Sequence, residues 1–253
     1  MIEYNEAIQI AEKFSQELSE KYKNMITAVF VIGSLGSDYY RPGQSDIDTA
    51  IITKYSRSEI NYIKTEISSI ANKYWKEYNV PKGFGTIAFA EEQLFPPYIK
   101  KEELILEILR LKTQSKKIYG NYETKKIPYP DKQAIIDDAK SFQEWVDDEK
   151  KKSDTERHFS ILLKMDFVSL VNSMLIALKR YLLIKCEIAE FNKFKVLKLY
   201  LKNNPPIVND EAFLFIEESL NNNEMQIDYD KLARITAFHD NLYSMINKLV
   251  FCS

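Results

Sequence analysis

Two hydrophobic patterns divide this chain of 253 residues. In the first half, short apolar runs alternate with amphipathic stretches. Ala7, Ile10, Phe14 and Leu18 recur at helical spacing between about Asn5 and Tyr22, which predicts a helix with one buried face. ITAVFVI, from Ile26 to Ile32, and IDTAII, from Ile47 to Ile52, are continuous and rich in β-branched residues, the pattern of buried strands. Ser56 to Tyr78 opens with serines followed by acid and apolar residues, a capping box, and continues as an amphipathic helix. Gly83–Ala90 (GFGTIAFA) predicts a third strand, and Lys100–Lys112 (KKEELILEILRLK) a further helix. Beyond Pro130 the spacing is helical throughout. Helices are predicted near Lys132–Lys152, Glu156–Leu183, Asn192–Leu201, Asp210–Ser219 and Tyr229–Leu249.

Glycine usage sharpens this division. All six glycines (Gly33, Gly36, Gly43, Gly83, Gly85 and Gly120) precede residue 121. Glycine is costly inside helices and useful in loops and close backbone approaches, so its absence afterwards fits an all-helical second half. KKIPYPDK, with Pro128 and Pro130, predicts the linker, because proline and the residue before it resist helix. The expected organisation is an α/β domain over residues 1–127 and an all-α helical domain over residues 128–253.

Composition excludes several classes. Hydrophobic residues make up 45% and charged residues 28%, an ordinary globular balance. Net charge is −2 with no long basic run, which argues against a nucleic-acid backbone as partner. Cys186 and Cys252 lie far apart and form no CxxC unit, so neither a disulfide framework nor a zinc site is expected. His158 and His239 are isolated, with no metal-ligand spacing. The opening MIEYNEAIQIAEKF carries acids inside its apolar pattern and is no signal peptide, and no apolar run approaches a membrane span. A cytoplasmic protein without a membrane partner is expected.

The chemistry concentrates in GSLGSDYYRPGQSDIDT, from Gly33 to Thr49, which joins the first two predicted strands. Gly33 lets the backbone turn sharply and approach a phosphate closely, and Gly36 keeps that approach open. The hydroxyls of Ser34 and Ser37 can donate to phosphate oxygens. Asp46 and Asp48 stand two residues apart at the start of a strand, so their carboxylates project to the same face. That pair suits Mg²⁺, which prefers a few carboxylates together with phosphate oxygens. Tyr39 and Tyr40 offer rings for stacking on a substrate ring, and Arg41 either reaches a phosphate or sits at a solvated loop tip.

Strand, Gly-Ser, eleven residues, Asp-Ile-Asp and strand together resemble the signature of the DNA polymerase β-like nucleotidyltransferase superfamily. GSLG followed by SDID looks most like the aminoglycoside nucleotidyltransferases of the kanamycin type. The resemblance implies an α/β (α+β) core with a short mixed sheet, followed by a helical bundle that helps form the acceptor pocket. It implies magnesium-dependent transfer of AMP from ATP to a hydroxyl of a small molecule such as an aminoglycoside, with release of pyrophosphate. Gly33, Ser34, Gly36 and Ser37 would then serve the phosphates and Asp46 and Asp48 the magnesium, and similar enzymes often work as homodimers.

One position departs from the pattern. The superfamily places a third carboxylate on a later strand, and alignment on the EEQL-type turn after GFGTIAFA puts it at Gly85. The acids downstream, Glu91 and Glu92, lie roughly 20 Å further along an extended strand. The chain therefore binds metal with two carboxylates, recruits an acid from elsewhere, or has lost activity. On SFQEWVDDEKKK, Glu144, Asp148 and Lys152 share one helix face at successive i+4 steps, and kanamycin-type enzymes resemble this chain there. The resemblance makes Asp148 the general base and Lys152 a phosphate ligand, with Asp137, Asp138, Asp147 and Glu149 as competitors. Two other readings stand beside this one: a protein adenylyltransferase of the toxin–antitoxin kind, and an inactive nucleotide-binding scaffold.

Overall fold

The computed structural model describes residues 1–37, 39–99, 104–153, 162–203, 210–221 and 229–251. The chain divides into two compact units, Met1–Pro130 and Asp131–Ser253.

The first unit is built on one four-stranded mixed sheet. Helix α1 (Tyr4–Tyr22) leads through a 3₁₀ turn into β1 (Ile26–Ile32), and a single helical turn, α2 (Gly33–Gly36), begins the loop to β2 (Ile47–Thr53). Helix α3 (Ile60–Tyr78), β3 (Phe84–Ala90), α4 (Ile105–Thr113) and β4 (Lys116–Gly120) follow. The strand order is β3-β2-β1-β4, with β2 and β3 parallel and the other pairs antiparallel. A parallel neighbour requires a crossover, and α3 supplies it.

Strand alternation sorts the layers. Val29, Val31, Ile47, Ile51, Phe84 and Ala88 point to one face and pack with Ala7, Ile10, Phe14 and Leu18 of α1 and Ile60, Ile63, Ile67, Ile70 and Tyr74 of α3. Phe14 is fully buried, with its ring centroid 4.8 Å from that of Phe84. A side chain of this size contributes about 1.5–3 kcal/mol by leaving water. Residues of the opposite parity, such as Phe30, Ile52 and Phe89, are equally buried on the face that meets α4, whose Ile105, Ile108, Leu109 and Leu111 are covered. Both faces of β1 and β2 are therefore covered, which is why they read as unbroken apolar runs. Asp48 has the α4-side parity.

Strand β4 has no counterpart in the sequence reading. Its KKIYG holds two exposed lysines and only half-buried Ile118 and Tyr119. A charged edge strand resists pairing with other chains but carries no apolar run by which periodicity could find it.

The second unit is helical in all its described elements: α5 (Lys132–Ser153), α6 (Leu162–Cys186), α7 (Lys193–Asn203), α8 (Asp210–Asn221) and α9 (Tyr229–Phe251). Helix α6 contributes Val171, Met174, Leu175, Leu178, Tyr181 and Leu182 to a core shared with Val196 and Leu197 of α7 and Ile235, Leu242 and Ile246 of α9. Asn192 starts α7 by accepting the backbone N–H groups of Phe194 and Lys195 at 3.0 and 3.1 Å, the N-cap role asparagine suits. Arg180 on α6 donates to Asp138 on α5 through Nε at 2.9 Å, and its Nη2 lies 2.8 Å from the same oxygen. Both side chains are less than a tenth exposed, and the guanidinium also lies over the Phe142 ring at 4.2 Å.

Truncating one member of such a buried pair strands the other charge, which costs about 3–5 kcal/mol. Asp138→Ala should lose that much in urea unfolding of the whole chain, whereas Asp137→Ala, one residue away, should change stability by under about 1 kcal/mol.

Candidate active site

Strand β1 ends at Ile32, and the chain turns at Gly33 with φ of +68°, a left-handed conformation that side chains resist. The turn of α2 is held from several directions. The Ser37 hydroxyl donates to the Gly33 carbonyl, and the Tyr39 N–H donates to the Ser34 carbonyl at 3.2 Å. From α1, the Tyr4 hydroxyl donates to the Leu35 carbonyl at 3.3 Å. The Tyr40 ring packs edge-on against Tyr4, and its hydroxyl donates to the Ile2 carbonyl at 3.3 Å. Arg41–Ser45 then forms a closed turn, in which the Ser45 N–H donates to the Arg41 carbonyl and the Arg41 N–H to Ser45 Oγ, both at 3.0 Å. This turn delivers Asp46 to the foot of β2.

These contacts redistribute the roles of the loop residues. The Ser37 hydroxyl is engaged in the turn and the Tyr40 ring in packing. Gly36 is demanded by space: a Cβ there would lie 2.6 Å from the Val31 carbonyl oxygen and 3.0 Å from that of Gln114. Ser34 differs. Its Oγ is buried and has no hydrogen-bond partner among the described residues, although a buried hydroxyl left unpaired costs about 1–3 kcal/mol. A phosphate oxygen would satisfy it.

Asp48 is the centre of the site. Register places Ile32 of β1 and Gly85 of β3 directly beside it, and from α4 the Arg110 guanidinium approaches. Nη2 of Arg110 donates to Asp48 Oδ2 at 3.0 Å, while Nη1 donates to Glu107 Oε2 at 3.1 Å, one helical turn back. The side chains of Asp48 and Arg110 are 26% and 20% exposed, so the pair is largely desolvated yet open at one edge. Burial, reinforced by the charges of Asp46 and Glu107 against the opposing pull of Arg110, pushes the Asp48 carboxyl up to about 6.

Gly85 completes this arrangement by having no side chain. A Cβ on Gly85 would come within 2.3 Å of Asp48 Oδ1, so the space of a third acid is taken by the carboxylate of the second. Glu91 and Glu92 open the 3₁₀ turn after β3, where Glu92 accepts the Arg57 N–H at 2.6 Å. Among the described residues no group of three or more acids, histidines or cysteines is arranged around a metal position. Asp46 and Asp48 remain, and one or two carboxylates supplemented by phosphate oxygens are what Mg²⁺ ordinarily takes. The donor set fits that ion.

Of the other predicted residues, Asp148 and Lys152 belong to the backbone of α5, but their side chains lie outside the described residues. Asp138 is engaged by Arg180, and Asp137 accepts from Gln133 at 3.0 Å. His239 is buried and stacked on Tyr243; His158 lies outside the described residues. Sequence reasoning passed over Arg110 and Glu107. The one available signal was a charged pair at i and i+3 inside the apolar stripe of α4.

A family model described as a nucleotidyltransferase domain matches residues 11–181, two-thirds of the chain, including the loop, both aspartates, Gly85 and Arg110. The chain belongs to this family. The match extends beyond the sheet-bearing unit of the nucleotidyltransferase into α5 and α6. Among solved structures, that of spectinomycin adenyltransferase AAD(9) from Enterococcus faecialis, determined with ATP and spectinomycin, is similar with a TM-score of 0.59 at 15% identity. The similarity covers 93% of this chain and 98% of that one, and at such identity it is a likeness of fold. No curated protein matches the chain in sequence.

Two measurements probe this geometry. Gly36→Ala should destabilise the nucleotidyltransferase by about 1–3 kcal/mol, because the neighbours of its Cβ are backbone atoms that cannot swing away; denaturant unfolding reads this directly. The raised Asp48 pKa means that, between about pH 4 and 6, the folded chain holds a proton that the unfolded chain has released. That contribution to stability is present at low pH and lost as pH rises through 6. Asp48→Asn removes it, so melting of metal-free protein should show the variant gaining stability relative to wild type between pH 4.5 and 7.

Proposed function

We propose that this nucleotidyltransferase moves AMP from ATP, with magnesium, to the hydroxyl of a small molecule of the aminoglycoside kind. The acceptor oxygen bonds to the α-phosphorus, the bond from that phosphorus to the bridging oxygen breaks, and pyrophosphate leaves. The observation that carries this reading is the meeting, at one end of the sheet, of the Gly33 turn with a Ser34 hydroxyl that has no partner among the described residues and the Asp46–Asp48 pair, in a chain that belongs to a nucleotidyltransferase family.

Each residue has a distinct task. The Gly33–Gly36 turn and Ser34 bind phosphate, and Gly33 leaves room for the Arg110 guanidinium over the turn. Ser37 braces that turn. Asp46 and Asp48 would hold the magnesium ion, which supplies charge neutralisation at the phosphates when bound. Asp148 is proposed as the base that accepts the acceptor's proton, and Lys152 as a ligand to a phosphate oxygen. The fold likeness to an enzyme solved with ATP and spectinomycin supports adenine as the base and an aminocyclitol-type acceptor as the first to try. No helix among the described residues is long and apolar enough to cross a membrane.

A second reading has one specific observation behind it. With glycine at position 85, directly beside Asp48, the chain lacks the third acid and would bind nucleotide without turning it over. Pyrophosphate release separates the two.

Calorimetric titration of chelator-treated protein with a non-hydrolysable ATP analogue should show binding with magnesium that vanishes in Asp46→Asn/Asp48→Asn while the fold persists. Retained metal-dependent binding in that double variant would remove the site assignment. Pyrophosphate release that rises at least tenfold over background on adding spectinomycin or another aminoglycoside would establish transfer. Binding without any acceptor-dependent release would favour the retired enzyme.

A further inference from the structure

Arg110 has no place in the roles assigned so far, yet it is the residue that ties the phosphate turn to the aspartates. Its guanidinium lies so close over the turn that a Cβ on Gly33 would be 2.4 Å from Nη2. The same nitrogen donates to Asp48 Oδ2, and Nη1 donates to Glu107 Oε2. A guanidinium carries five N–H donors in a planar fork and stays charged at any working pH. Two of those donors are engaged with carboxylates among the described residues. The side chains of Arg110 and Asp48 are a fifth and a quarter exposed, so the pair is not sealed from solvent.

Charge decides what this arrangement is for. Asp46, Asp48 and Glu107 against one arginine leave the cluster at a net charge of −2 at neutral pH, a balance that one divalent cation cancels. A cation bound to Asp48 competes with Arg110 for the same carboxylate oxygens. Once Asp48 shares its charge with a cation, Arg110 holds to it less tightly, and its freed donors face the turn. Arginine forks match phosphate oxygens in two-point contacts.

We infer that Arg110 is a triphosphate-binding residue that Asp48 and Glu107 hold in reserve, released toward the nucleotide's phosphates when a divalent cation takes its place on Asp48. This rests on the nucleotide reading above and adds to it a residue and a coupling: cation and triphosphate assist each other through one guanidinium. Glu107 is the second carboxylate from which the fork is drawn.

The test uses the full chain, Mn²⁺ as a spectroscopic probe, and calorimetry with a non-hydrolysable ATP analogue and magnesium. Arg110→Gln should bind Mn²⁺ several-fold more tightly in the absence of nucleotide, because the competing cation is gone. The same variant should bind the magnesium–triphosphate analogue roughly 10- to 100-fold more weakly, the worth of one or two charge-assisted hydrogen bonds. An arginine that only held Asp48 in position would, on removal, weaken both, and that result, or an unchanged triphosphate affinity, overturns the inference. Should Arg110→Gln fail to fold, Glu107→Gln decides. Relieved of one carboxylate, Arg110 should then bind the triphosphate several-fold more tightly, and an unchanged or lower affinity overturns the inference. Wild-type protein that binds no triphosphate with magnesium would remove the nucleotide reading and this inference together. Wild-type binding with an indifferent Arg110→Gln removes this inference alone.

Discussion

The ion pair between Asp48 and Arg110 joins every part of the site. It crosses from the sheet to α4, so it links the layer that carries the carboxylates to the layer that covers them. Its existence depends on three local facts: the parity that turns Asp48 toward α4, the bare backbone of Gly33 beneath the guanidinium, and the missing side chain at Gly85. A side chain at either glycine would occupy the space of the pair. The absence that first reads as a lost catalytic acid is also the room in which Asp48 sits.

Burial gives this pair its character. In water an exposed ion pair is worth little, but here both partners are mostly covered while an edge stays open. Desolvation and the neighbouring acids raise the Asp48 carboxyl to about 6, and Arg110 opposes that rise. The ion pair limits how far burial and the neighbouring acids raise that carboxyl. The Gly33–Gly36 turn is held with comparable care. Tyr4 and Tyr40 bind it to the start of the chain, and Ser37 closes it on itself. Among the described residues of the turn, Ser34 is left with an unused buried hydroxyl.

The second unit shows the same principle without the opening. Arg180 and Asp138 also pair across two helices, but both are nearly sealed from solvent, and the guanidinium is capped by an aromatic ring. That pair specifies how α5 and α6 meet. The contrast with Arg110 lies in exposure: the Arg180–Asp138 pair is closed, whereas Arg110 and Asp48 are 20% and 26% exposed.

Much of this was legible in the sequence because it is local. Helix and strand identities follow from periodicity, the α/β-then-helical order from the distribution of glycine, and the Gly33–Asp48 loop from its residue types and spacing. The aligned position of the missing acid also pointed to Gly85, since one strand's register can be counted from a turn. Strand β4 escaped because an edge strand of lysines has no hydrophobic signature, and it acquires its identity only by pairing with β1. Arg110 and Glu107 escaped for a related reason. They stand 62 and 59 residues from Asp48 in the chain, and no local pattern says which face of the sheet α4 will cover. Gly36 and Ser37 were expected at the phosphates from residue type and spacing; the structure adds that the Ser37 hydroxyl donates to the Gly33 carbonyl and that the Val31 and Gln114 carbonyls leave no room for a side chain at Gly36. The residues near a site are set by local sequence; their partners are set by which layers pack together, and only the folded chain decides that.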